Sequence, residues 1–493
     1  MRSKPLITLG LSFVLAATVA VSASAQDTGA QSQPESASPI IGQVPGYTAS
    51  TANEEGYWYS RYNMMSLTMQ SGLGETFMPD PQQIAMAVQM AGQNPSDPVM
   101  VPTNPALLSV VYAGGDPHYV TMGTPMDWQT LRWKGGSSRL TEEATAWTIT
   151  KEIEWAKMFH VDFHFGTPTD DFGSTQRFAG MMIAMMAKMQ LMAFQQNPSG
   201  FEASNRGDYA ALTAFSDAAG LYGASALPHS TTNRYADSNA AMLATGLARQ
   251  QFQKVLATTP KNAADLSLGI QSLVWYGTLT DDPSELLSAR ETVVRWADKL
   301  AAKETDNPVD RAYKIRGLIE AGRTTNDPKY LDHAAKTFKA LVRGFDEKYG
   351  VLRGTKRLEI EGVGEIAGAM NSAMLFLGDR IDQVAAKDTF GKWWEGTVDL
   401  SGVQIAAPAI PDFKGAYETN QDPLNLRYPA LPLPADAGGQ FGIAPVFAAS
   451  ITWKHHAWQA DQSNFDTAGA MHTSTEMMWF HNDEVNGFPT PNF

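Results

Sequence analysis

The chain of 493 residues contains no cysteine. This absence excludes disulfides, a thiolate nucleophile, a Cys-x-x-Cys redox pair and any zinc or iron–sulfur centre held by thiolates. Basic residues are also scarce, with 37 Lys and Arg against 51 Asp and Glu and a formal net charge of -14. Because phosphate contacts need clustered Lys and Arg, we expect no general nucleic-acid binding.

Several sequence motifs for catalysis and cofactor binding are missing as well. No GxGxxG opens a helix after a strand, and GxxxxGK[ST], HExxH and GxSxG do not occur. Beyond the N-terminal segment, no stretch reaches the about 18 uninterrupted apolar residues that a membrane-spanning helix needs. The sequence therefore leaves the catalytic residues unassigned and predicts no membrane span after cleavage of that segment.

The first 25 residues have the pattern of a secretory signal peptide. Arg2 and Lys4 precede a mostly apolar run from Leu6 to Val21, and Ala23-Ser24-Ala25 supplies an A-x-A cleavage site. This pattern predicts an exported protein, periplasmic or secreted. An exported chain without cysteine also avoids mispaired thiols in an oxidising compartment.

Composition divides the chain into further regions. After the signal peptide at 1–25, we expect a flexible lead-in at 26–53, an irregular aromatic- and Met-rich region at 54–140, a helical domain at 141–397 and a Pro-rich extension packing on it at 398–493. Within the irregular region, a short helix at 81–90 and a small sheet near 108–122 are predicted.

A repeat lies inside the helical region. Gly277–Pro283 aligns with Gly322–Pro328 at an offset of 45 residues (322 minus 277), and apolar positions on both sides keep the same offset. In each copy the Gly is predicted to end one helix, Asp282 or Asp327 to cap the next, and the following Pro to occupy its first turn. Such αα-hairpins bury one another's apolar faces when they stack.

Residues 237–394 resemble the α/α-toroid, or six-hairpin, fold. The resemblance is carried by Ala312–Gly322, by Asp327-Pro328-Lys329-Tyr330-Leu331-Asp332-His333-Ala334, and by Phe345-Asp346 leading into Gly350-Val351-Leu352. It is closest to the helical domains of the YyaL-type thioredoxin-domain proteins and of the N-acylglucosamine 2-epimerase group. The resemblance implies a mainly α fold, an α/α-toroid or αα-hairpin array, and a glycan-active hydrolase, lyase or epimerase.

Two departures limit what this resemblance implies. The Cys pair of the thioredoxin-domain group is absent, and His333 is the single histidine in the stretch, so the histidine pair of the epimerase group has no counterpart there. A similar fold therefore does not imply that this chain has the activity of either group.

The C-terminal region holds the densest set of possible metal ligands: His455, His456, Met471, His472, Glu476 and His481. On a helix, His472 and Glu476 would share a face. Imidazole with thioether suits copper, whereas imidazole with carboxylate suits zinc, manganese or iron. The alternative is a polar tail anchored by aromatic side chains.

Two further patterns bear on metal binding. His160 and His164 would share a helical face and chelate a metal, although the alternating residues around them fit a strand equally well. Met181, Met185, Met189 and Met192 form a stripe on a predicted helix. That stripe fits either Cu(I) ligation or a Met-lined core or partner groove.

A glycan-active enzyme would need paired carboxylates and stacking aromatic rings. Asp170-Asp171 and the pair of Glu359 with Glu361 are available, and Trp393-Trp394-Glu395 lies near the second pair, but nothing in the sequence selects one of them. The leading hypothesis is thus an exported metal-binding protein, with copper favoured over another transition metal. The alternatives are a glycan-active enzyme and a non-catalytic binding or assembly scaffold with a small-molecule or protein partner.

Overall fold

Short polar side chains begin the helices. Asp237, Asp282, Asn307, Asp327 and Asp382 each accept a hydrogen bond from a backbone N–H in the first turn of the helix that follows. Three of these helices also have Pro at the start, where a missing N–H leaves no hydrogen bond unmade. Helix boundaries are therefore set locally, by caps that are readable in the sequence.

The computed structural model describes residues 41, 48–91, 101, 106–121, 132–162, 174–225, 233–406, 442–481, 491 and 493. The predicted signal peptide and the prolines between 408 and 434 lie outside these residues. The described part of the chain is mainly helical. Its helices are α1 Ala49–Met65, α2 Pro81–Met90, α3 Glu142–Asp162, α4 Ser174–Gln196, α5 Asn205–Tyr222, α6 Ser238–Ala257, α7 Ala263–Leu279, α8 Pro283–Ala302, α9 Pro308–Thr325, α10 Pro328–Val342, α11 Ile360–Phe376, α12 Gln383–Trp394 and α13 Thr467–His481.

The strands form three small antiparallel sheets. They are β1 Gly74–Phe77, β2 Leu107–Thr121, β3 Arg132–Leu140, β4 Phe345–Asp346, β5 Val351–Leu352, β6 Arg357–Glu359, β7 Ser450–Lys454, β8 Ala457–Ala460 and β9 Phe465–Asp466. Strand β2 lies between β1 and β3 and also pairs with β9, β4 pairs with β5, and β7 lies between β6 and β8. The predicted helix at 81–90 and the predicted sheet near 108–122 are confirmed by α2 and β2.

The helices fall into two classes by burial. Helices α5, α7, α9, α11 and α13 are buried on almost every side, whereas α8 and α10 bury a single stripe. A helix that is apolar or small all round can be stable only inside a protein, while an amphipathic helix covers a core. The first class therefore forms an inner layer and the second an outer one.

Inner helices contact one another in a fixed order. Helix α3 contacts α5, and the series continues through α7, α9, α11 and α13, which contacts α3 again. Each inner helix also contacts an outer one: α4 with α3, α6 with α5, α8 with α7, α10 with α9, α12 with α11, and α1 with α13. The last of these pairs joins the first and the last helix of the described chain.

Helices α11 and α13 approach closely at a pair of glycines. A Cβ added to Gly364 would come within 2.8 Å of the backbone Cα of Thr473, and one added to Gly368 would collide with the Glu476 carboxylate. Thr473 also donates its hydroxyl to the carbonyl of Ile360 at 2.8 Å. Because Gly364 and Gly368 have no side chain, α13 lies against α11 and places its own Thr473 and Glu476 at the contact.

The repeat prediction is partly wrong about glycine. Asp282 and Asp327 cap helices as expected, through Ser284 N at 2.8 Å and Lys329 N at 3.1 Å. Gly277 and Gly322, however, lie inside α7 and α9, which end at Leu279 and Thr325. A Cβ at either glycine would meet a neighbouring side chain, so these glycines permit close packing and do not end a helix.

Helix α1 was not predicted from the sequence, and α13 lies in a tail where the sequence predicted a short helix or two but no inner position. Helix α1 crosses the expected boundary at residue 53 between the lead-in and the irregular region. Helix α13 belongs to the inner layer, although the sequence suggested that residues 398–493 form an outer extension. Both helices lack a clear polar face, which is the feature that makes a helix recognisable in a sequence.

Among the described helices, none combines the length and apolarity needed to cross a lipid bilayer.

The close approach at Gly364 yields a stability prediction. We expect Gly364→Ala to lower the free energy of unfolding by about 1–3 kcal/mol, because α13 or α11 must shift to admit the methyl group. Gly246→Ala is the matched control, since Gly246 lies on the exposed face of α6 with open space around it. That change should raise the unfolding free energy by about 0.5–1 kcal/mol through helix propensity. Equal effects of the two substitutions in chemical denaturation would contradict the close contact.

Candidate metal centre

Three inner helices place charged side chains at one buried point. Helix α11 carries Glu361 and Glu365, and α13 carries His472 and Glu476; each pair is spaced i, i+4 and so shares a helical face. Helix α9 adds Arg316. Glu365, His472 and Glu476 have no exposed surface, and Arg316 has almost none.

Glu365, His472 and Glu476 form what we call the three-residue cluster. His472 Nε2 lies 3.2 Å from Glu365 Oε1 and 3.6 Å from Glu476 Oε1. One donor atom from each residue can be chosen so that all three lie within 4.8 Å of one another. Nitrogen and oxygen atoms at such separations can bind one metal ion together.

The donor atoms of the three-residue cluster are not used up by hydrogen bonds. Both oxygens of Glu365, Oε2 of Glu476 and both ring nitrogens of His472 are buried without a hydrogen-bond partner among the described residues. Buried polar atoms are satisfied in the great majority of cases, and each exception needs an explanation such as a bound ion or water. Here one unsatisfied atom from each of the three residues lies close to the other two.

Neighbouring groups hold two of these side chains in place. Arg316 Nη2 donates to Glu476 Oε1 at 3.0 Å and to Gln271 Oε1 at 3.1 Å, and Arg316 Nη1 donates to Ser372 Oγ at 2.6 Å. The ring of Trp147 covers the imidazole of His472, with ring centroids 4.2 Å apart. The orientation of Glu476 and His472 is therefore fixed from outside the cluster.

A further carboxylate lies on the other side of the imidazole. Glu361 Oε1 is 3.7 Å from His472 Nδ1, forms an ion pair with Arg206 and accepts a hydrogen bond from the Tyr313 hydroxyl. Arg206 in turn contacts Glu143 at 3.2 Å. Glu361 is thus held in place by Arg206 and Tyr313 near the imidazole, at a distance too long for a hydrogen bond to Nδ1.

The charges of this network do not balance by themselves. The groups in direct contact comprise four carboxylates, Glu143, Glu361, Glu365 and Glu476, and two guanidinium groups, Arg206 and Arg316. With His472 neutral, the sum is 2 minus 4, or a net charge of -2. Arg206, Glu143 and Glu361 are partly exposed and screened by solvent, whereas the buried Glu365, Glu476 and Arg316 alone sum to 1 minus 2, or -1. Uncompensated charge is costly in a buried site, so a divalent cation or protons would stabilise this network.

The pKa shifts show where protons would go. Burial raises the pKa of Glu365 above its ordinary value, and the nearby Glu476 carboxylate adds to the effect. Burial alone would lower the pKa of His472, but Glu365 and Glu476 outweigh it and the net shift is upward. For Glu476, burial is outweighed by Arg316 and His472, and the pKa falls. Without a metal, protons on Glu365 and His472 would thus supply the missing charge.

The structure separates the metal ligands that the sequence grouped together. His472 and Glu476 belong to the three-residue cluster, and Met471 is buried beside them on α13. His455 and His456 form the exposed two-residue turn between β7 and β8, with φ of 51° and 62°. Their role is that of the left-handed turn residues of a hairpin.

The other predicted histidine ligands receive no test from the structure. His160 and His481 lie in the last turns of α3 and α13, where their side chains are outside the described part of the chain. His164 and the pair Asp170-Asp171 lie outside the described residues altogether.

Sequence reasoning missed Glu365 and Arg316. Both lie on helices whose other residues are mainly apolar or small, in the stretches Ile360–Met370 and Ala312–Ala321. Charged residues on such a helix are a signal for a buried network, because charges in a core must be paired. The signal is weak without knowledge of which helices touch.

Of the carboxylates considered for glycan chemistry, Glu359, Glu361 and Glu395 lie among the described residues. Glu359 is exposed and paired with Arg357, and Trp393, Trp394 and Glu395 are buried. A cavity of about 630 Å³ is lined by Tyr349, Trp453, Trp458 and other residues. Its single lining carboxylate, Asp346, is held by Arg353 at 3.0 Å. Among the described residues, this aromatic cavity lacks the acid pair that glycoside hydrolysis uses.

Comparison with protein-family models gave no match, and comparison with curated proteins gave none either.

The ion pair of Arg316 with Glu476 allows a stability prediction. Arg316→Met should destabilise the protein by about 3–5 kcal/mol, because it leaves the Glu476 carboxylate buried without its partner. Adding Glu476→Gln should restore part of that loss, since the unpaired charge is then gone. Chemical denaturation with a chelator present measures the free energy of unfolding of the single and the double variant.

Arg139→Met provides the control for this measurement. Arg139 pairs with Glu202 at 2.5 Å on the surface, so its loss should have a far smaller effect. If the single Arg316→Met variant and the double variant were equally unstable, the two side chains would not be coupled.

Proposed function

We propose that this protein binds one divalent transition-metal ion through Glu365, His472 and Glu476. The observation that carries the proposal is the convergence of fully buried donor atoms that have no hydrogen-bond partner among the described residues. The charge count supports it, because one divalent ion brings the network from -2 to neutral. Glu476 would use Oε2, since its Oε1 already accepts from Arg316.

The donor set bears on which metal is bound. One imidazole and two carboxylates favour zinc, manganese or iron, whereas Cu(I) prefers thioether and thiolate sulfur. Copper, the first choice from the sequence, is therefore the less favoured metal at this site. Three protein ligands also leave at least one coordination position for water.

A narrow crevice lies near the cluster, and none of the three proposed ligands lines it. It has about 10 Å³ of space, room for about one water molecule, and is lined by Trp147, Gln271 and Trp479 among others. The ring of Trp147 lies against His472, and Gln271 accepts from Arg316. The crevice therefore adjoins two residues that hold the cluster in place.

We further propose that the helices form an α/α-toroid. The support is the order of helix contacts, in which α3, α5, α7, α9, α11 and α13 follow one another and α13 meets α3. Each of the three ligands lies on an inner helix of this series, two of them on its last member. An exported protein, periplasmic or secreted, remains the prediction from the N-terminal sequence.

Metal content tests this function. Protein stripped with a chelator and reloaded with zinc, manganese, iron or copper should retain about one equivalent of its preferred metal after desalting. Its melting temperature should rise with metal, because binding to the native state alone stabilises it. His472→Ala and Glu365→Gln should both abolish retention, and Glu365→Gln does so with almost no change in side-chain volume.

His456→Ala is the matched control, because His456 lies in an exposed hairpin turn. It should retain the metal as the wild type does. Less than half an equivalent of each metal, with no thermal shift for any, would refute the proposal.

Proton competition gives a second prediction. Because the pKa values of His472 and Glu365 are raised, metal must displace protons from both residues as pH falls. We expect the affinity to weaken below neutral pH, by about tenfold per pH unit for each proton displaced. A competition titration against a chromophoric chelator at pH 6 and pH 8 measures the change, and equal affinity at both would argue against histidine ligation.

A further inference from the structure

Methionine side chains line a large cavity of the protein. It is a groove of about 920 Å³ beside helices α2, α4 and α6, which we call the Met groove. Seven methionines line it: Met86, Met90, Met181, Met185, Met189, Met192 and Met242. The groove shares no residue with the three-residue cluster.

The sequence of α4 explains why its methionines divide into two sets. Met182 and Met186 point into the core and have no exposed surface. The stripe that begins with Met181 and Met185 is half-buried and lines the Met groove. Core packing therefore explains Met182 and Met186. It does not explain the stripe that begins with Met181, which faces an open cavity.

Exposure at the Met groove is unusual for apolar side chains. Met86, Met90 and Met242 expose 56%, 45% and 66% of their surface. Exposed apolar side chains gathered around a concavity are a mark of a binding site. Methionine is suited to such a site, because its flexible, polarizable side chain adapts to irregular apolar ligands.

Basic residues accompany the apolar wall. Lys188 lines the groove and pairs with Asp237 at 2.5 Å. Arg234 also lines it, is exposed, and makes no ion pair with any described residue. A ligand with an apolar body and an anionic group would satisfy both features of the wall.

We infer that the Met groove binds a single-chain amphiphile with an anionic head group, either a carboxylate or a phosphate. The groove volume falls within the range of about 300–1,000 Å³ that is typical of small-molecule sites. The size and the charge of the groove thus favour a small amphiphile.

Fatty acids of increasing length provide the direct test. Titration calorimetry of the full chain with decanoate, dodecanoate and tetradecanoate, below their micellar concentrations, should show one site. Each added methylene should tighten binding by up to about fourfold, as its burial predicts. Dodecyl phosphate and dodecyltrimethylammonium complete the series and separate carboxylate, phosphate and cationic heads. The cationic amphiphile should bind at least tenfold more weakly than dodecanoate.

Substitutions test whether the amphiphile binds in the Met groove. Met189→Gln should reduce dodecanoate affinity by tenfold or more, whereas Met374→Gln, a half-buried methionine on α11 outside the groove, should not. Arg234→Gln should reduce the preference for anionic heads, with Arg290→Gln on the exposed face of α8 as its control. Circular dichroism of each variant confirms that it is folded.

Three results would overturn the inference. The first is no binding of any amphiphile at 100 µM. The second is equal binding of cationic and anionic heads. The third is concentration-dependent dimerisation that Met242→Glu abolishes, since the groove would then be a surface between two copies of the chain.

Discussion

The need to neutralise buried charge dominates the centre of this protein. Four carboxylates, two guanidinium groups and one imidazole are in contact where inner helices meet. In such an environment an unpaired charge costs several kcal/mol, so each member is tolerated only because of its neighbours. Arg316 pairs with Glu476, and Arg206 pairs with both Glu361 and Glu143, so Glu365 is left facing His472 without a guanidinium partner. The metal hypothesis follows from the combined charge of the network, not from any single residue.

Close helix packing makes this network geometrically possible. Glu476 can approach α11 because Gly368 has no side chain, and α13 itself can approach because Gly364 has none. Larger residues would push α13 outward and separate His472 from Glu365. The contact of α13 with α1 adds a second constraint, since it covers the side of α13 away from the cluster with the aromatic-rich α1. The chemistry of the site thus depends on two glycines and on a helix more than 300 residues earlier in the chain.

Features encoded within a few residues were predictable from the sequence, and features that depend on distant helices were not. The caps Asp282 and Asp327 and the helix at Pro81–Met90 could be read locally. Helix α1 and the inner position of α13 were not predicted, because neither helix has the one-sided apolar pattern that marks an amphipathic helix. For the site, the i, i+4 spacing found His472 with Glu476. It could not find Glu365 or Arg316, because their approach is set by the order in which inner helices touch. His455 and His456 show the converse case, since they are near His472 in sequence but form an exposed turn, and metal binding by them stays a prediction.

Hard and soft ligands are separated in this molecule, and the separation changes how its composition is interpreted. A chain with 23 methionines and no cysteine first suggested thioether binding of copper. In the structure, however, methionines of α4 divide between the core and a large apolar groove, while the three-residue cluster offers nitrogen and oxygen. Methionine then serves as a flexible apolar surface, a role in which its sulfur contributes polarizability and no coordinate bond. A soft metal in the groove and a hard metal in the core would require opposite ligand chemistry. The groove is also partly open to solvent, whereas the cluster is closed. The two sites therefore suit different classes of ligand, and occupation of one gives no reason to expect the same ligand in the other.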